Sequence, residues 1–144
     1  MWRASVVGLL WVSGVASAGE GVRVTLQIAG VTGTEGQLMI ALYDAPTGFP
    51  ADGAKATFRK LTPAVSPVTT VVFEGVPPGT WAGFAVHDQN LNGVVDVRSV
   101  IPMPKEPVGA TRDAKGWFGP PKFEDASFAV GAVDVIQRFK LTQL

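Results

Sequence analysis

The sequence predicts an all-β fold, an antiparallel Greek-key sandwich of about seven strands. Three observations carry this expectation. Short runs alternate apolar and polar residues with a period of two. Seventeen glycines and eleven prolines are scattered between these runs, as turns between strands require. Hydrophobic residues make up 47% of the chain, which is enough for a real core and unlike a disordered composition.

Val22, Val24, Leu26 and Ile28 alternate with Arg23, Thr25 and Gln27, the pattern of a strand with one buried and one wet face. A glycine-rich stretch from Gly30 to Gly36 follows. From Gln37 to Tyr43, Leu38, Ile40 and Leu42 share one face, while Met39, Ala41 and Tyr43 make the other face apolar as well. Such a strand is covered on both sides, and the two runs read as a hairpin. The stretch 51–67 is ambiguous: Asp52 could cap a short helix through Phe58 and Leu61, or the segment could be an irregular edge strand. Pro63 and Pro67 end either arrangement.

Val68 to Glu74 is β-branched and aromatic, hence strand-like. After a turn through Pro77, Pro78 and Gly79, Trp81 to His87 reads as a strand with Ala82, Phe84 and Val86 on one face. The segment 88–127 is long and aperiodic, and irregular chain of that length is often functional. Strand resumes over 128–130 and 133–141, with Val133, Val135, Phe139 and Leu141 on one face and Gln137 interrupting it. No repeat, heptad pattern or linker divides the chain, so one domain is expected over residues 19–144.

The first eighteen residues read as a cleavable signal peptide. Arg3 precedes an apolar run from Val6 to Val15, and Ala16-Ser17-Ala18 offers small residues in an A-x-A pattern. The run is shorter than the ~20 residues that span a bilayer, and no later stretch is apolar and long enough to do so. The expected compartment is the periplasm or the exterior. The chain has no cysteine, which excludes disulfides, thiolate metal centres and Cys–His dyads. Loss of Arg3 leaves 11 of the 12 basic residues against 12 acidic ones. A chain so close to neutrality has no field to gather phosphates, so no nucleic-acid partner is expected.

One loop carries recognisable chemistry. In Asp88-Gln89-Asn90-Leu91-Asn92-Gly93-Val94-Val95-Asp96, oxygen-bearing side chains stand at Asp88, Asn90 and Asn92, then at Asp96. Ca²⁺ takes six to eight oxygen ligands, and alternate residues of a tight loop converge on one point. The first six positions match the start of an EF-hand loop, with the Val94 carbonyl at the seventh. The bidentate Glu of the twelfth position is absent, because Ser99 stands there. The flanks are not helical either. The loop is therefore a candidate weak Ca²⁺ site that needs a ligand from elsewhere or from water. A metal-free reading competes with it, because Asp and Asn bond their own backbone in such turns.

His87 is the only histidine. Neighbours in a strand face opposite ways, so His87 and Asp88 do not meet, and His87 reads as a structural residue at a strand end. Glu106, Asp113, Glu124 and Asp125 offer carboxylates for a glycan-active hydrolase, but nothing in the sequence selects a pair. Trp117 and Phe118 are candidates for a ligand surface, or for residues that seal one end of the sandwich. The expected role is a binding or envelope-associated module without an enzymatic centre, whose partner is a protein, a glycan or a small molecule. A carboxylate-based hydrolase and a structural envelope-assembly protein are the alternatives.

Four motifs occur together: Ala41-Leu42-Tyr43-Asp44 with Gly48-Phe49-Pro50; Phe73 to Ala82; His87-Asp88-x-Asn90-x-Asn92-Gly93-x-x-Asp96; and Phe118-Gly119-Pro120-Pro121-Lys122-Phe123-Glu124-Asp125-Ala126-Ser127-Phe128. In this order they resemble a bacterial family of exported proteins catalogued as a domain of unknown function, number 2141. The resemblance covers nearly the whole chain after the leader and implies a fold and a compartment, with no established activity. The segment Ile101 to Thr111 departs from the family pattern, lacking an aromatic after its glycine. The turn and strand around Gly75 to Trp81 are also similar to prealbumin-like sandwich domains. Hydroxyisourate hydrolases of that architecture need several histidines, and intradiol dioxygenases need two His and two Tyr. One His and one Tyr cannot build either centre.

Overall fold

The computed structural model describes residues 21–89, 106–116 and 119–143. Eight strands are assigned within them: β1 (Val22–Ala29), β2 (Gln37–Tyr43), β3 (Phe58–Pro63), β4 (Thr69–Val76), β5 (Gly79–Asp88), β6 (Val108–Ala110), β7 (Phe128–Val130) and β8 (Val135–Lys140). One α-helical turn, α1 (Phe123–Ala126), and 3-10 turns at Gly53–Lys55 and Thr111–Asp113 complete them. The strands form two sheets packed as a sandwich. One has the order β4-β1-β8; the other has the order β3-β2-β5-β6, with β7 also pairing β5.

The core between the sheets follows from the alternation. Val24, Leu26 and Ile28 of β1 meet Leu38, Ile40 and Leu42 of β2, with Val71, Phe73, Trp81, Phe128 and Phe139 filling the layer. Each fully buried side chain of this kind contributes about 1.5–3 kcal/mol relative to exposure. Phe58 closes one flank, its ring 5.5 Å from that of Trp81 and 6.1 Å from that of Phe73. The five-stranded sheet is covered on its outer side too. There Ala82, Phe84, Val86, Val108, Ala110 and Ala126 form a second cluster, against which Met39, Phe49 and Phe123 pack. This explains why every residue of β5 from Trp81 to Asp88 is buried.

Several sequence expectations need correction. β1 and β2 are not a hairpin: β1 pairs β4 and β8, while β2 pairs β3 and β5. Period-two patterns identify strands but not their partners. The stretch from Gly30 to Gly36 is long enough to cross the roughly 10 Å between packed sheets. Gly30 makes that departure at φ +78, where a Cβ would stand 2.6 Å from the Leu141 carbonyl oxygen. The sandwich is also not wholly antiparallel, since β1 and β8 run parallel with Val24 opposite Val135 and Ala29 opposite Lys140.

The ambiguous stretch 51–67 resolves as the edge strand, and the helix through Phe58 and Leu61 does not form, both residues lying in β3. Asp52 accepts a hydrogen bond from the Ala54 amide at 3.1 Å and caps one 3-10 turn; the chain then runs as edge strand β3 until Pro63. Val133 does not share the buried face of β8, being 74% exposed. The strand begins only after Asp134, whose carboxylate accepts the Arg23 amide at 2.9 Å. Gln137 stands half-buried within the inward stripe of Val135, Phe139 and Leu141. Within 88–127, β6, the Thr111–Asp113 turn and α1 are regular structure. No helix among the described residues is long and apolar enough to cross a membrane. The signal-peptide reading of 1–18 lies outside the described residues.

Candidate functional site

Strand register brings three residues to one end of the outer face of the five-stranded sheet. Gln37 stands opposite Asp88 on one side and opposite Pro63 on the other. All three side chains project to the outer side, in step with Met39, Val86 and Leu61 of the next row. Asp88 is fully buried. Its Oδ2 accepts a hydrogen bond from the Gln37 side-chain amide at 3.1 Å, which offsets part of the cost of removing a carboxylate from water.

Glu106 approaches the same end from the far side of the 90–105 segment. It is 5% exposed, and its Oε2 accepts the Gln89 amide at 2.9 Å. The backbone holds the two ends together, with the His87 amide donating to the Pro107 carbonyl at 3.0 Å. Asp88 and Glu106 are thus two buried carboxylates at the end of β5, with Glu106 bonded to the backbone amide that follows Asp88.

The cross-sheet connection packs directly against this base. Gly36 adopts φ +77, and a Cβ on it would collide with the Asp88 carbonyl oxygen. His87 lies on the opposite face of β5 from Asp88, as the strand period requires. Its Nε2 bonds the Glu35 carbonyl at 2.7 Å; since a carbonyl only accepts, Nε2 carries the hydrogen. Its Nδ1 is buried with no hydrogen-bond partner. His87 therefore clamps the connection to the end of β5. A shallow pocket of about 210 Å³ opens beside the site, lined by Gly36, Gln37, Leu61, Thr62 and Pro63.

Farther along the outer face the groups are structural. Tyr43 donates its hydroxyl to the Pro50 carbonyl at 3.0 Å, and its ring meets Phe49 edge-on at 5.2 Å. Burial pushes the Tyr43 phenol above its ordinary pKa; Asp52 adds to this and Arg59 opposes it. Thr111 is fully buried; its hydroxyl accepts the Gly83 amide at 2.9 Å and donates to the Ala126 carbonyl at 2.6 Å. Of the carboxylates noted in the sequence, Asp113 accepts the Lys140 amide at 2.9 Å, while Glu124 and Asp125 are exposed in α1.

Of the candidate site residues, Asp88 alone is among those described; Asn90, Asn92, Val94, Asp96, Trp117 and Phe118 lie outside the described residues. Among the described residues, no three His, Asp or Glu side chains gather where they could hold a metal ion. Gln37 and the convergence of Glu106 on Gln89 were missed by sequence reasoning, because register is a tertiary property and Glu106 is eighteen positions from Asp88.

A family model described as "Uncharacterized protein conserved in bacteria (DUF2141)" matches residues 26–137. The chain belongs to the DUF2141 family. The matched span runs from the middle of β1 into β8, so the DUF2141 domain includes both sheets and the Asp88–Glu106 base. No curated protein and no solved structure matches the chain.

Proposed function

We propose that this DUF2141 domain is an exported, non-enzymatic binding or envelope-associated module, with a weak Ca²⁺ site founded on Asp88. The observation that carries the reading is the buried Glu106 carboxylate on the Gln89 amide, one residue along the chain from buried Asp88. The loop motif needs an acidic ligand that its twelfth position, Ser99, does not supply. In this reading Glu106 supplies it, with Asp88, Asn90, Asn92, Asp96 and the Val94 carbonyl as the ligands from the motif. Three carboxylates, from Asp88, Asp96 and Glu106, suit an affinity of ~10⁻⁴–10⁻³ M, typical of extracellular modules.

The strand connections that pass between sheets support a Greek-key sandwich of the prealbumin or immunoglobulin class. Trp117 and Phe118 are the contact residues assigned to a bound protein, glycan or small molecule. The leader supports export. Mass spectrometry of the protein from cell fractions tests the compartment: a chain beginning at Gly19 in the periplasm or medium is expected, and an uncleaved cytoplasmic chain contradicts export. Cross-linking in envelope preparations with and without chelator tests the module, with a Ca²⁺-dependent adduct as the expected result.

A further inference from the structure

We propose that the open edge of β8 is a self-association surface, on which a second copy of this chain docks antiparallel about Ile136. β8 is the rim of the three-stranded sheet. Its odd-numbered amides face β1, as Leu141 N–H shows by donating to the Ala29 carbonyl at 2.9 Å. Its even-numbered amides face away, and Lys140 N–H is taken by Asp113 Oδ1. By the same alternation Ile136 and Arg138 present their N–H and C=O groups to the open rim. Among the described residues no strand pairs with them there.

Unpaired rims are templates for strand addition; this one is open only up to Arg138, a stretch without proline, because Asp113 takes the Lys140 amide and Val108 pairs with Thr142 beyond it. Ile136 is 51% exposed, and Val133 beside it is 74% exposed. The charge pattern selects the occupant. Asp134, Ile136 and Arg138 share the outer face, and the run Asp-x-Ile-x-Arg is self-complementary when reversed. With Ile136 opposite Ile136 of the second copy, Asp134 stands opposite the Arg138 of that copy, and Arg138 opposite its Asp134. Opposite charges directly across a strand pair are favourable, and like charges are not.

The neighbouring groups leave these charges available. Asp134 uses Oδ1 for the Arg23 amide, and the Arg23 guanidinium is held by Glu74 at 3.1 Å. Arg138 is exposed and makes no ion pair among the described residues. Docking therefore extends an alternating row, Glu74, Arg23, Asp134 and the Arg138 of the second copy. It also joins two three-stranded sheets into one of six. The contact is isologous and closes as a dimer.

Analytical ultracentrifugation from micromolar to millimolar concentration tests this. The wild-type protein is expected to dimerise with rising concentration. Arg138→Asp, which sets two aspartates opposite each other twice, weakens association about tenfold or more. Asp134→Arg does the same with two arginines. An equimolar mixture of the two variants restores complementarity at both pairs and regains the dimer. Thermal unfolding of each variant reports that it is folded. A wild-type protein that stays monomeric throughout overturns the proposal. So does an Arg138→Asp variant that dimerises like wild type, or a mixture of folded variants that associates no better than either alone.

Discussion

The Gln37 side-chain amide donates to the Asp88 carboxylate across the β2–β5 pair, at 3.1 Å. One partner is half-buried and the other fully so. The contact ties the last residue of the longest strand to the first residue of its neighbour. Asp88→Ala removes the acceptor and leaves polar groups without it in a covered site. A loss of about 1–3 kcal/mol of folding stability is expected in denaturant titration, and Asp88→Asn, which keeps an acceptor oxygen, loses less.

Gly36→Ala tests the close approach behind the same site. The residue has φ +77, and an added methyl would meet the Asp88 backbone. Left-handed strain and the collision act together, so the expected loss is larger than the ~0.4–1 kcal/mol that a Gly-to-Ala change gains where the conformation is compatible. Gly33→Ala is the comparison, since nothing lies within 4 Å of its added Cβ although φ is +120. The two melting temperatures separate collision from backbone strain.

Thr111→Val keeps shape and deletes the hydroxyl that links β5 to α1 through Gly83 and Ala126. Two buried backbone groups then lack that partner. The expected cost is about 2–4 kcal/mol from two unsatisfied groups, with hydrogen exchange accelerating at the Gly83 amide before the global transition.

Tyr43 is the only tyrosine, so tyrosinate absorbance reports it alone. Its folded pKa is raised above 10.0, mainly by burial. The neutral phenol is the form the fold favours. The stabilising effect is therefore complete below the unfolded pKa of about 10 and is lost as pH rises through the folded pKa. The native titration midpoint is expected above that measured in denaturant. Tyr43→Phe should remove this component of alkaline destabilisation while losing the Pro50 bond. Equal midpoints in the two states contradict the burial argument.

Much of the fold was legible in the residues. The alternation in Val22 to Ile28 and the two apolar faces of Leu38 to Tyr43 correctly separated a half-wet strand from a covered one. Strand partnership was not legible, because hydrophobic period says which face is buried and not which neighbour supplies the hydrogen bonds. Hence the β1–β2 hairpin failed, and the parallel β1–β8 pair could not be foreseen. Val133 was misplaced because an apolar residue at a strand margin looks like one inside it. At the site, Asp88 stood out through the spacing of its neighbours. Gln37 did not, and Glu106 was read only as one of four carboxylates for a hydrolase, since register and the return of the chain are what bring them to the end of β5.

Calorimetric titration of the protein with Ca²⁺ tests the central claim most directly. The account predicts saturable binding with Kd of ~10⁻⁴–10⁻³ M, reduced or abolished in Asp96→Asn and in Glu106→Gln with the fold intact by circular dichroism. Absence of saturable heat up to ~10 mM Ca²⁺, ten times the weakest of those values, or equal binding by both variants, contradicts it.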